Sequence, residues 1–378
     1  MADRFQLIVI NPGSTSTKFA VFEDEQPLFV VNLRHTDEEM ASFKGKSILE
    51  QQDFRLALIE HELHQRGISL KQFAAAVGRG GLLRPVPSGT YRVNDEMLEE
   101  LRRAERGEHA SNLGAFLAQA IARHGAVPSF IVDPVSVDEW PEKARLSGSA
   151  LLERQCLSHA LNTKAVAKRF ARERGRRYED LHLIVAHIGS GISVSAHEHG
   201  RMVDVTNSRE EGSFSTERAG TVPCMKLTEL CFSGKYSAKQ IEAAVFRGGG
   251  LYSYLGTKDL EEVERRIAAG DSRAALVFEA MVYQIAKEVG AMAAALRGHI
   301  DAILVTGGMA HSKKLVANLR SHIYWVAPLH VYAGEDELQA LAEGALRVLC
   351  GEEQAHEYGA VAIPVAQRPI SKQATRGR

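Results

Sequence analysis

Apolar and polar positions alternate in blocks along this chain, and one block recurs. Leu7-Ile8-Val9-Ile10-Asn11-Pro12-Gly13-Ser14 is echoed by Leu183-Ile184-Val185-Ala186-His187-Ile188-Gly189-Ser190 at an offset of 176 residues (183 minus 7). In each copy the apolar run predicts a strand and the following Gly, Ser and Thr residues predict a turn. The segments Thr17 to Phe22 and Ser193 to Glu198 then resume an extended pattern. Each copy therefore reads as a β-hairpin whose tip exposes backbone N–H groups and hydroxyls. Such a tip can hold phosphate oxygens. Two copies predict two related α/β domains facing each other across a cleft, each offering one phosphate loop. That arrangement suits transfer of a phosphoryl group between two substrates.

The rest of the pattern fills in the α/β order. A strand is expected over Leu28 to Leu33, and a helix over Ile48 to Arg66 that stops at Gly67. The run Phe73 to Val77 enters Gly78-Arg79-Gly80-Gly81, a strand end whose loop carries an arginine. A helix over Gly114 to His124 and a strand over Pro128 to Val132 follow, the latter delivering Asp133 at its C-terminal end, where ligands of open α/β sheets gather. In the second half the strand Asp301 to Thr306, the turn Gly307-Gly308 and the helix Lys313 to His322 repeat the same logic. Ala274 to Leu296 has helical spacing through Val277, Met281, Ile285, Val289 and Met292. It reads as a helix at the domain junction with a packed stripe, or as a nucleotide contact through Glu279 or Tyr283. The expected domains are residues 1–155 and 156–339, with a C-terminal helix over about 340–366 packing back on the first and a flexible tail over 367–378.

Composition narrows the partners. The chain has 378 residues, 45% of them hydrophobic and 25% charged, enough for about two globular domains with cores of their own. A net charge of -1 removes any broad electrostatic case for nucleic acid or an anionic membrane. The first strand begins without an apolar leader, and the longest apolar stretch of the C-terminal half is broken by Arg297, so a cytoplasmic protein is expected. Cys156, Cys224, Cys231 and Cys350 show no paired close spacing, which reads as buried free thiols rather than a metal knuckle or disulfides. His61 and His64, and His197 and His199, lack a convincing acidic or thiol partner and read as surface histidines.

Neither loop is a Walker A motif: Gly13 and Lys18 lack the second glycine and the following hydroxyl residue, and the loop joins strand to strand. Lys18 reads equally as a phosphate contact or a solvated strand residue. Asn11 to Lys18 and His187 to Gly191 resemble the two signature loops of the acetate kinase family. Ser158-His159-Ala160-Leu161-Asn162, Glu217-Arg218-Ala219-Gly220-Thr221 and Gly334-Glu335-Asp336-Glu337 extend the resemblance over nearly the whole chain.

The resemblance implies a duplicated, actin-like (ribonuclease H-like) ATPase fold with an interdomain active-site cleft. It implies reversible, Mg²⁺-dependent transfer from ATP to butyrate, giving butyryl phosphate and ADP, in a homodimer or larger assembly. Acetate, propionate or branched acids are the alternative substrates, and an ATP-driven switch protein is the alternative of another class. A carboxylate acceptor is already ionised at neutral pH, so the reaction needs positioning and charge neutralisation rather than a general base. The resemblance assigns catalysis to Arg79, Asp133, His159, His187 and Arg218, with Asp133 orienting an arginine or reaching the metal through water. It assigns the nucleotide to Asn11, Gly13, Ser14, Ser16, Lys18, Gly189, Ser190, Gly191, Thr306, Gly307, Gly308 and Met309. Mg²⁺ falls to Asn11, Glu335 and Glu337, with Asp336 an open alternative, and the substrate pocket to His109 and Asn112. Gly80 and Gly81 stand where acetate kinases usually carry valines, which predicts room for a longer acyl tail.

Overall fold

Leu7, Ile8, Val9 and Ile10 are fully buried at the centre of a strand, Gln6–Pro12, because both faces of its sheet are covered. In this computed structural model, which describes residues 4–359, the strand belongs to a seven-stranded sheet. Its order is His356–Glu357, Thr90–Arg92, Ser129–Val132, Ala75–Arg79, Gln6–Pro12, Ser16–Glu23 and Gln26–Arg34. The last three form an antiparallel meander, and Ala75–Arg79 and Ser129–Val132 run parallel to Gln6–Pro12. A second sheet of five strands has the order Leu329–Ala333, Ala302–Gly307, His182–Ile188, Ile192–Glu198 and Arg201–Val205. Its meander and parallel pair repeat the first arrangement, and His182–Ile188 and Ile192–Glu198 begin at the repeat offset from Gln6–Pro12 and Ser16–Glu23.

Two units hold these sheets. One comprises the residues up to Asp138, Arg145–Arg154 and the chain from Glu337 onward; the other comprises Glu139–Ala144 and Gln155–Asp336. In the second, Ile184, Ala186 and Ile188 face a core built with the helix Ser272–Ala295, while Leu183 and Val185 face the opposite core beside the helix Ala160–Glu173. The stripe Val277, Met281, Ile285, Val289 and Met292 is thus consumed by packing onto the second sheet, inside that unit.

In the first unit the helix Leu113–Gly125 lies directly on the strand Ala75–Arg79. A Cβ on Gly114 would stand 2.1 Å from the Arg79 carbonyl oxygen, and one on Gly78 would stand 2.0 Å from that of Gly114. Two glycines permit this approach, and it fixes where Arg79 leaves the sheet. The helix Glu337–Leu349 covers the same sheet with Leu338, Leu341 and Ala345 buried.

Two expectations change here. The C-terminal helix ends at Leu349 rather than near 366: Gly351 turns left-handed at φ 74°, and His356–Glu357 then pairs with Thr90–Arg92 as a strand. Residues 360–366 and the tail 367–378 lie outside the described residues. The cysteines are free, but only Cys156 is buried; Cys224, Cys231 and Cys350 are exposed. No described helix is long and apolar enough to cross a membrane.

Candidate active site

The first hairpin turns through Gly13-Ser14-Thr15, with Asn11 opposite Lys18 and the Gly13 amide donating to the Ser16 carbonyl at 2.8 Å. Ser14, Thr15 and Lys18 are exposed, as a ligand loop requires. Beside it, Arg79 ends the neighbouring parallel strand. Its Nη1 donates to Glu337 Oε2 at 2.6 Å and reaches Asn11 Oδ1 at 3.4 Å, while Asn11 Nδ2 donates to the same Glu337 oxygen at 2.5 Å. Asn11, Arg79 and Glu337 thus form one polar cluster at the strand ends of the first unit.

The second hairpin places His187 at the equivalent position. It is buried, its Nδ1 is 2.9 Å from Asn162 Oδ1, and its Nε2 is 3.1 Å from Glu335 Oε1. With Nδ1 donating to the amide oxygen, Nε2 is the atom presented toward Glu335. The His159 ring stacks on that of His187, with centroids 3.8 Å apart and planes 9° from parallel, and its Nδ1 meets Ser193 Oγ at 2.9 Å. Gly189 lies under Glu335: a Cβ there would be 3.0 Å from Oε1.

Arg218 is tied to this loop through Ser215, whose hydroxyl donates to the Ser190 carbonyl and accepts from the Arg218 amide. The guanidinium lies over the Phe246 ring and against Gly191, where a Cβ would meet Nη1 at 2.4 Å. Its Nη1 donates to the Ser208 carbonyl at 2.9 Å, and its buried Nε has no partner among the described residues. Burial first, and then nearby Arg209, lower its pKa against the pull of Glu217. The Glu217 carboxylate itself is held by Lys258 at 2.5 Å. Arg218 is therefore a desolvated cation with no carboxylate paired to it among the described residues.

Several sequence-predicted residues have other work. Gly80 and Gly81 do not open space for an acyl tail: Cβ atoms there would stand 2.5 Å from Pro134 Cβ and 2.6 Å from Asn112 Oδ1, so the chain's own packing fills that volume. Asn112 is fully buried and braces the same loop, accepting from the Leu82 amide at 2.9 Å and donating to the Gly107 carbonyl at 3.2 Å. His109 is exposed and caps a short helical turn, with Nδ1 accepting from the Ser111 amide. Asp133, at φ 37°, binds the Ser88 hydroxyl at 2.6 Å and the Gly89 amide at 2.8 Å; among the described residues no arginine pairs with it. Thr306 is buried with its hydroxyl on the Gly334 carbonyl, and Gly307, at φ 92°, exchanges backbone bonds with Gly334. Met309 is buried, and Gly308 has nothing near its Cβ position, which leaves it the open residue of that turn. His197 is fully buried on Tyr178 and Ser195 rather than at the surface.

Two residues were missed. Asn162, which orients His187, sits three residues after His159 in a motif already singled out. Arg55 is fully buried beneath the first loop, donating to the carbonyls of Gly13 and Ser16 at 2.9 Å each. Its signal was available: Arg55, Ile59 and Leu63 are the buried positions of the helix Gln52–Gln65, a cation on an apolar stripe.

Residues 150–344 match the model of the acetokinase family. A protein of Clostridium botulinum (strain Alaska E43 / Type E3) named "probable butyrate kinase" is 49% identical over 355 residues, covering 94% of this chain and 99% of the relative.

This chain belongs to the acetokinase family.

Its fold agrees with solved structures that bear the same kinds of name. Porphyromonas gingivalis acetate kinase aligns with TM-score 0.74 at 20% identity, covering 91% of this chain and all of that one. A propionate kinase from Francisella tularensis subsp. tularensis SCHU S4 aligns with TM-score 0.70 at 18% identity over 90% of this chain and 98% of that one. The two repeated α/β units are the duplicated actin-like fold of this family.

Proposed function

We propose that the protein transfers the terminal phosphoryl group of Mg-ATP to the carboxylate of butyrate, giving butyryl phosphate and ADP, and runs in reverse when the acyl phosphate is supplied. The observation that carries the substrate is the 49% identity, nearly end to end, with a chain named for that acid. Acetate, propionate and branched acids are the neighbouring substrates, since each buried methylene is worth about 0.8 kcal/mol and discriminates weakly.

Phosphoryl transfer to a carboxylate joins two anions, so the chain must supply positive charge and alignment. Arg218 has that character, a desolvated guanidinium beside Gly191 with no carboxylate paired to it among the described residues. Arg79 is the corresponding cation of the first unit, and it is held in aim by Glu337 and Asn11. Guanidinium forks suit carboxylate and phosphoryl oxygens, which lysine contacts only as a point charge. His187 Nε2, fixed by the Asn162 bond behind it, is assigned to the phosphoryl in flight, and His159 holds the ring in plane by stacking. The two loops, Gly13 to Ser16 and Gly189 to Gly191, are assigned to phosphate oxygens, with Ser14, Thr15 and Ser190 their exposed residues.

The donors near these loops fit magnesium. Glu335 and Glu337 are carboxylates and Asn11 an amide oxygen, hard donors of the kind Mg²⁺ takes in small number while keeping water. Glu335, which is 40% exposed against 14% for Glu337, is the more exposed of the two acids. Bound to the donors of either unit, Glu335 in the second or Glu337 and Asn11 in the first, the ion would neutralise phosphate charge. We place the reaction in the cytoplasm, where ATP is abundant. A homodimer or larger assembly is assigned to the second unit, which exposes Met225, Phe232, Tyr236, Tyr254 and Leu276.

The test is ³¹P NMR of purified protein with Mg-ATP and butyrate. A new acyl phosphate resonance appearing with ADP supports the reading. ATP turnover indifferent to every carboxylic acid would reject it and favour an ATP-driven switch.

A further inference from the structure

We propose that Arg55 is a positioning residue for phosphoryl transfer: it sets the backbone of the first loop so that its amides face the transferred phosphoryl group. The inference rests on the kinase reading of that loop.

Arg55 has 0% exposure, yet no carboxylate is paired with it among the described residues. Its Nη1 donates to the carbonyls of Gly13 and Ser16 and to Thr17 Oγ1, each at 2.9 Å, and Nη2 reaches the Ser14 carbonyl at 3.5 Å. Gln51 Oε1 fixes the fork from behind, 3.1 Å from Nε and 2.8 Å from Nη2. Thr17 Oγ1 passes the contact on to His35 Nε2 at 2.9 Å. Burial pulls the guanidinium pKa down to about 10, so the ion stays charged at neutral pH in a site that gives it backbone dipoles and, among the described residues, no counter-ion.

Two consequences follow from peptide geometry and charge. Because the peptide is planar and trans, a carbonyl held toward Arg55 turns the next residue's N–H the opposite way. The amides of Ser14 and Thr15 accordingly point off the guanidinium, and among the described residues neither donates to a protein acceptor. The unneutralised cation beneath them raises the local potential at the anion those amides would bind. Lysine at this position would keep the charge and lose the fork that holds several carbonyls at once.

The test compares Arg55→Lys, Arg55→Met and Gln51→Leu with the unaltered chain, each first shown to fold by thermal unfolding. Gln51→Leu leaves the charge and removes the acceptor that aims it, so it serves if the Arg55 variants do not fold. Acyl hydroxamate formation gives kcat, ADP binding gives affinity for a nucleotide without the transferred group, and hydrogen–deuterium exchange over residues 11–18 with and without Mg-ATP reports the loop. The expected result is a fall in kcat of at least tenfold in Arg55→Met, a smaller fall in Arg55→Lys and Gln51→Leu, and ADP affinity within twofold of the unaltered chain. Mg-ATP should slow exchange over residues 11–18 in the unaltered chain and not in Arg55→Met. Folded variants with unaltered kcat and unaltered protection would overturn the proposal, whatever their melting temperatures. Failure of the unaltered chain to make any acyl phosphate would instead reject the kinase reading, and the exchange comparison would still judge the loop.

Discussion

Arg79 and Arg218 carry the same charge in different company. Arg79 shares Glu337 with Asn11, whereas Arg218 is desolvated over Phe246 and beside Gly191 with no acid paired to it among the described residues. Removal of one preorganised donor to a transition-state oxyanion costs about 10²–10³ in kcat. Arg218→Ala is expected to lose that much acyl phosphate formation while keeping its fold, and Arg218→Lys to recover little of it. Wild-type kcat in a folded Arg218→Ala would remove the residue from the mechanism. At the same scale, His197 makes stability depend on pH. Burial, and secondarily the Lys164 cation, hold its pKa well below 6.5, and Tyr178 and Ser195 take its two nitrogens. Lys164 is itself paired with Glu139 at 2.5 Å. The folded chain refuses a proton that the unfolded chain accepts, so the unfolded state binds more protons below pH 6.5. Stability should fall as pH drops from 7 toward 5, and a folded His197→Gln variant should show a flatter melting-temperature profile over that range.

At the scale of elements, close backbone contacts aim the chemistry. The helix Leu113–Gly125 rests on the strand Ala75–Arg79 through Gly78 and Gly114, so Gly114→Ala should push against the Arg79 carbonyl. Overpacking of this kind costs about 1–3 kcal/mol. Both a lower melting temperature and a lower kcat are expected, and an unchanged kcat in a destabilised variant would show that strand and helix can part without moving Arg79. Gly81→Val should also destabilise, by collision with Asn112, without shifting preference toward shorter acids. Hairpins, loop edges and the strand ends at Arg79 and His187 were legible in the sequence because alternation and glycine spacing are local signals. The role of Arg55 was not, since its acceptors are backbone carbonyls 39 to 42 residues away, which no side-chain motif records. Gly80 and Gly81 misled for a related reason: a sequence shows a missing side chain but not the neighbour that fills its place. Asp133 followed the same rule, because its partners, Ser88 and the Gly89 amide, lie on a loop 44 to 45 residues upstream.

For the whole molecule, the internal repeat is the feature with the widest reach. One strand-and-loop design, used twice, gives each unit a three-residue loop between antiparallel strands, and each unit adds its own ion pair beside it: Arg79 with Glu337 in the first, His187 with Glu335 in the second. The central claim is that these parts make an acyl phosphate from a short-chain acid. The most direct measurement is hydroxylamine trapping with Mg-ATP and one straight-chain acid at a time, from acetate to hexanoate, read as kcat/KM. The account predicts a maximum at butyrate with measurable activity on its neighbours, lost in Arg79→Ala and Arg218→Ala proteins that remain folded. No hydroxamate from any acid, in protein that binds ATP, would contradict it.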